Sequence, residues 1–146
     1  MTMLERDRIL GLIPHAGAMC LLDGVESWDE AGIICTSARY AAADNPMRRA
    51  DGSLGAACGI EIASQAMALH GRLTAAGEGP PRPGFLVSLR DARLRAGMMQ
   101  PDAGPLTITA RQILGDARGA SYAFAISAGG EEWVSGRATV LFEAPI

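Results

Sequence analysis

The chain has 146 residues, of which 49% are hydrophobic and 20% charged, and its formal net charge is -3. That length suits one domain, residues 1–146, with a real core, and the acidic balance argues against nucleic-acid binding, which calls for a basic surface. All 13 basic residues are Arg, which rules out Schiff-base chemistry and any phosphate loop built on lysine. Cys20, Cys35 and Cys58 are odd in number and widely spaced, without a Cys-x-x-Cys pair or nearby His, so they read as small core residues. The opening mixes acids with Arg and runs into no apolar stretch of the kind a signal peptide needs, and the expected location is the cytoplasm.

Thr2 with Glu5 has the form of a capping box, which predicts a short helix from Met3 to Leu10 that stops at Gly11. His15 follows in a loop, restrained between Pro14 and Gly17. A strand is expected over Met19–Trp28, a turn at Asp29–Gly32 and a second strand over Ile33–Tyr40, together a hairpin. Residues 41–53 carry Pro, Gly, Asn and charge and read as irregular, with Asp51 or Ser53 as the cap of the helix that follows. After that helix, Gly77–Gly84 is a Pro- and Gly-rich loop. Four strands are then expected near Phe85–Leu94, Leu106–Leu114, Ser121–Ser127 and Glu132–Phe142.

The organising stretch is Leu54–Leu73, whose only acid is Glu61. A run of roughly twenty apolar and small residues without Pro is too long for a strand and reads as a helix buried all round. A lone carboxylate there is anomalous. Burial raises the pKa of a carboxyl toward a form that holds a proton near neutrality, the profile of a general acid. Gln65 lies one turn on, with Ser64 between. His70 stands at the helix end beside Gly71, where the helix dipole favours an imidazolium, and is given no chemistry. Trp28 and Trp133 read as core or interface residues. One long helix and about six antiparallel strands make an α+β fold in which the sheet curls around the helix. A single sheet leaves the far side of such a helix partly bare, and dimerisation is the expected remedy.

Three segments carry a resemblance. Leu12-Ile13-Pro14-His15 leading into Met19–Val25, the helix pattern Gly59-Ile60-Glu61-Ile62-Ala63-Ser64-Gln65-Ala66, and Val87–Leu94 followed by Pro101, Asp102 and Gly104 are together similar to the beta-hydroxyacyl-acyl-carrier-protein dehydratases of fatty-acid synthesis. The Pro14–Gly17 loop, the Asn45-Pro46-Met47-Arg48 stretch and Gly59-Ile60-Glu61 also resemble a divergent subgroup linked to aryl-polyene and related polyketide-like pathways. The resemblance implies the hotdog fold, a dimer with sites at the subunit interface, and loss of water from a 3-hydroxyacyl thioester to give a trans-2-enoyl thioester. It implies neither metal nor redox cofactor. Glu61 matches the family's proton-exchanging Glu, and Gln65 is expected to bind substrate. Backbone N–H groups at the helix start, here Gly55 and Ala56, are expected to polarise the thioester carbonyl.

The family's catalytic His has no counterpart, because its place by spacing falls on Met47. Three readings stay open. His15 supplies the base in a variant dehydratase, the preferred reading, its alternative role being a structural histidine that braces the loop against Glu61; or a second dehydratase subunit supplies the base, this chain being one half of a heterodimer and inactive alone; or the chain is a hotdog acyl thioesterase. The resemblance further implies an acidic acyl carrier protein with a phosphopantetheine arm as partner, and Arg48, Arg49, Arg90, Arg93 and Arg95 are candidates for meeting it.

Overall fold

In the computed structural model, residues 3–74, 84–95, 98–99, 102–116 and 118–142 are described. The chain runs β1 (Leu4–Glu5), α1 (Arg6–Leu10), β2 (Gly24–Asp29), β3 (Gly32–Ser37), β4 (Leu54–Gly55), α2 (Ala56–Thr74), β5 (Gly84–Leu94), β6 (Met98–Met99), β7 (Leu106–Gly115), β8 (Gly119–Ala128) and β9 (Glu131–Phe142). Seven strands form one antiparallel sheet in the order β1-β2-β3-β7-β8-β9-β5, and β4 pairs with β6 apart from it. The expected α+β plan holds, with one long helix against the sheet. Among the described residues no helix is long and apolar enough to cross a membrane.

The turns follow from their residues. Asp29 Oδ1 accepts from the backbone N–H groups of Ala31 and Gly32, at 2.8 and 3.0 Å, which closes the β2–β3 hairpin as an Asx turn. Gly129 and Gly130, with φ of 59° and 82°, join Ala128 to its partner Glu131. A two-residue hairpin loop needs positive φ at both positions, and glycine supplies it without strain. On the inner face of the sheet, Ile33, Cys35, Leu106, Ile108, Ala110, Tyr122, Phe124 and Ile126 alternate with outward residues and meet Ile62, Ala66, Met67 and Leu69 in one core. The three cysteines are buried and free, and burial pushes Cys35 up to about 12, so it is inert packing as expected.

Several boundaries differ from the expectation. The helix α1 starts at Arg6 behind Glu5, not at Met3, because Leu4 and Glu5 pair with Val25 and Gly24; Thr2 lies outside the described residues. Strand β2 starts at Gly24 rather than Met19. The preceding stretch makes a 3-10 turn at Gly17–Met19 and then dives inward, leaving Cys20, Leu21 and Leu22 with no exposed surface. Burying each of those leucines is worth about 1.5–3 kcal/mol, enough to draw them off the sheet once side chains satisfy their backbone. Strand β3 stops at Ser37, since the Asp23 carboxylate takes the N–H groups of Ala38 and Arg39 and starts a 3-10 turn at Arg39–Ala41. Asp51 does not cap α2. Its carboxylate is spent on Ser53 N–H and Oγ–H, at 2.9 and 2.6 Å, and α2 begins directly after Gly55. The loop expected over Gly77–Gly84 lies outside the described residues except for Gly84, which opens β5.

The helix α2 packs on β3, β7, β8 and β9 but is not buried all round. Ala57 is exposed, and Ile60, Glu61, Ser64 and Ala68 are half-buried, so one stripe is left open. His70 also departs from the expectation. It is fully buried, with Nδ1 2.7 Å from the Tyr122 hydroxyl and Nε2 2.8 Å from the Asp29 carbonyl oxygen. The carbonyl can only accept, so Nε2–H donates to it, while Nδ1 and the Tyr122 hydroxyl share the second hydrogen bond. With both ring nitrogens satisfied inside the core, His70 ties α2 to β2 and β8 rather than standing exposed at the helix end.

Candidate active site

The open stripe of α2 carries the site. Glu61 points out of the second turn of the helix, and the Pro14–Gly17 loop brings His15 onto it, with Nε2 3.2 Å from Glu61 Oε1. Both side chains are about one-quarter exposed, at 24% and 27%. They line a cavity of about 140 Å³ with Ile60, Ser64, Ala68, Leu86 and Val140. His15 Nδ1 is buried and has no hydrogen-bond partner among the described residues. A buried nitrogen left without a partner costs about 1–3 kcal/mol.

Glu61 corrects the expectation of a raised carboxyl. Burial is the largest influence and pushes it up, but the hydrogen bonds from His15 and Gln65, the His15 charge and the Ser64 hydroxyl together hold it below its usual range. The lone chain thus holds an ionised Glu61 near neutrality. Gln65 explains part of this. It has no exposed surface, and its amide donates to Met19 O at 2.8 Å and to Glu61 Oε1 at 3.2 Å while its oxygen accepts from Leu21 N–H at 2.9 Å. Three of its hydrogen bonds thus go to the protein, and one of them holds Glu61 in place.

Gly55 closes β4 and Ala56 opens α2, and Gly55 is not among the described residues that line the cavity. A Cβ at Gly55 would meet Arg49 Nη2 at 2.7 Å, so that guanidinium lies against the helix start. Arg48 braces its own loop: its Nε donates to Gly52 O at 2.8 Å and its Nη1 to Ala41 O at 2.7 Å. Arg90, Arg93 and Arg95 are exposed on and after β5, and Arg90 faces Arg137 across the strand pair. Trp133 is in the core, edge-on to Tyr40, and Trp28 is partly buried at its margin. Met47, at the place where a catalytic His was sought, packs partly buried against the core, its N–H bonded to Asn45 Oδ1 at 2.9 Å. A larger groove of about 310 Å³ beside Trp28, Ile34 and Arg111 contains no histidine.

Sequence reasoning found His15, Glu61 and Gln65 but missed the cavity walls. Ile60, Ser64 and Ala68 were open to discovery from helical spacing around Glu61. Leu86 and Val140 were not, because they reach the cavity through the pairing of β5 with β9.

The model of the ApeP-like family, described as ApeP dehydratase, matches residues 8–144. The chain belongs to the ApeP-like dehydratase family. It is accordingly a dehydratase, a hydro-lyase, of the divergent aryl-polyene type that the sequence resembled. Among solved structures, the dehydratase heterocomplex ApeI:P from Xenorhabdus doucetiae superposes with a TM-score of 0.83 at 23% identity, covering 93% of this chain and 91% of that one. AziG of S. sahachiroi follows the same fold with a TM-score of 0.62 at 15% identity, over 85% of this chain and 92% of that one. A thioesterase from Haemophilus influenzae gives a TM-score of 0.59 at 14% identity, over 89% and 84%. These likenesses establish the hotdog fold. No curated protein sequence matches the chain.

Proposed function

We propose that this ApeP-like dehydratase acts on 3-hydroxyacyl thioesters carried on an acyl carrier protein in a polyketide-like pathway of the cytoplasm, with His15 and Glu61 as the proton-transfer pair. The observation that carries the reading is the 3.2 Å contact between the two side chains at a cavity. His15 takes the proton from carbon 2, that C–H electron pair becomes the new double bond, the C3–O bond breaks, and the hydroxyl leaves as water with the proton from Glu61. The resemblance assigns the thioester carbonyl to backbone N–H groups at the Gly55–Ala56 helix start, which requires the substrate to extend beyond the cavity lined by His15 and Glu61. The acid role requires Glu61 to gain a proton. Covering the open stripe of α2 adds burial, and burial moves the carboxyl in that direction.

A partner subunit is the natural cover. The free edge strand β5 exposes Leu86, Val87 and Leu89, and Leu86 also walls the cavity, so the same surface borders solvent and site. A homodimer or a heterodimer with a second dehydratase subunit closes it. Two observations favour the half-site form of the latter: Met47 stands where the resemblance seeks the catalytic His, and the ApeI:P structure is a complex of two subunits. The exposed Arg90, Arg93 and Arg95 suit an acidic carrier. The thioesterase reading keeps only a fold likeness in its support.

The test is an assay of the purified chain, with the 3-hydroxyacyl and trans-2-enoyl thioesters followed by mass. Glu61→Gln and His15→Ala should each lower turnover by about 10²–10⁴-fold. Turnover that appears only with a second subunit would select the half-site form, free acid would restore the thioesterase, and full activity of His15→Ala would remove His15 from the chemistry.

A further inference from the structure

Arg6 has a role in this site that its position in α1 does not suggest. Its Nη1 donates to the carbonyl oxygens of Cys20 at 2.6 Å and Leu22 at 3.1 Å, and its Nη2 to that of Gly17 at 2.9 Å. Among the described residues no carboxylate pairs with it, and its three hydrogen bonds all go to main-chain oxygens. The segment 17–22 needs this help. It belongs to no strand, yet Cys20, Leu21 and Leu22 are fully buried, and buried carbonyls off a sheet must find other donors.

The other limb of the His15 loop is also tied to α1. Ile13, nearly fully buried, donates its N–H to Ile9 O at 3.2 Å, and Leu12 N–H does so at 2.9 Å. The loop bearing His15 thus leaves α1 at its last turn and is caught again by the first residue of the same helix. From the opposite side Gln65 holds Met19 O and Leu21 N–H, and it also contacts Glu61. Arg6 and Gln65 grip one segment and meet at the Cys20–Leu21 peptide group, Arg6 at its carbonyl and Gln65 at its N–H, one on behalf of the His15 loop and the other on behalf of Glu61.

We infer that Arg6 is a positioning residue of the active site, clamping the far limb of the His15 loop so that the imidazole is held at its contact distance from Glu61. The inference rests on the proposed proton-transfer role of that pair. A guanidinium suits the task because its rigid planar fork meets three fixed oxygens at once, whereas an ammonium on a flexible stem does not hold them in one geometry.

The experiment uses the full chain and reads the Glu61 carboxyl by carbon NMR through a pH titration, alongside kinetics. His15 helps hold that carboxyl below its usual range. Arg6→Ala should therefore raise the Glu61 titration midpoint toward the value in His15→Ala, and adding Arg6→Ala to His15→Ala should move it no further. Arg6→Lys should fall between wild type and Arg6→Ala, and it supplies the answer if Arg6→Ala does not fold. In turnover, Arg6→Ala should lower kcat about tenfold or more with KM within about twofold, the mark of lost alignment rather than lost binding. A Glu61 midpoint unchanged in folded Arg6→Ala or Arg6→Lys, or a further rise in the double variant, would overturn the inference. Coupled titration without turnover, even with a second dehydratase subunit added, would sustain the clamp and remove the dehydratase role of the pair beneath it.

Discussion

Gln65 shows how one side chain can carry both stability and chemistry. Replacing it with Ala strands the buried N–H of Leu21 and deprives Met19 O of its donor, so Gln65→Ala should destabilise the fold by about 2 kcal/mol or more, read from the urea midpoint. It also removes a donor from Glu61, and the Glu61 titration should rise. Glu61 itself is linked to stability with a definite sign. Its folded value lies below the ordinary 4.5, so it contributes stability that is present above the ordinary value and lost as the pH falls through the lower folded one. Glu61→Gln should flatten that acid limb of the stability curve, measured by urea unfolding on either side of it. These residues were legible because a carboxylate, an amide and an imidazole stand out in apolar sequence. Arg6 and Ser37, whose hydroxyl donates to Leu21 O, were not, because their partners are main-chain oxygens that every residue possesses.

At the scale of elements, the hairpins were readable because the turn chemistry is local, and the bounds that shifted were those where distant partners competed. The stretch Met19–Leu22 has the composition of a strand, but side chains from α1, β3 and α2 satisfy its backbone, and it goes to the core instead. Close approach of strands is likewise invisible in sequence. A Cβ at Gly32 would lie 2.5 Å from Ala110 O, a backbone atom of the neighbouring strand, whereas one at Gly55 would meet only the end of the flexible Arg49 side chain. Gly32→Ala should therefore destabilise by about 1–3 kcal/mol, and Gly55→Ala by much less, in the same urea measurement. Equal costs would show that β3 and β7 can part as easily as an Arg can swing.

At the scale of the whole molecule the sheet ends on β5, whose exposed apolar residues lie next to the open stripe of α2. Leu89 is 39% exposed and lines no part of the cavity, so a charge there should leave the chain folded. Leu89→Asp should keep it monomeric in sedimentation at concentrations where wild type assembles through this face. Assembly of wild type should also raise the Glu61 midpoint, as water leaves the stripe, and Leu89→Asp should abolish that rise. An assembled protein with an unmoved midpoint would mean that the cover lies elsewhere.

From the sequence alone one can read the long apolar helix, its single carboxylate and the alternating strands, because burial and backbone periodicity are written in residue type and spacing. The family was legible for the same reason, through three short segments in register. Tertiary structure decided the rest. It alone set the His15 to Glu61 distance, the ionised state of Glu61 and the inward turn of Cys20–Leu22, since each depends on groups far apart in the chain. Burial by itself would have raised the Glu61 carboxyl. The donors that lower it come from a loop and a helix turn whose meeting only the folded chain arranges.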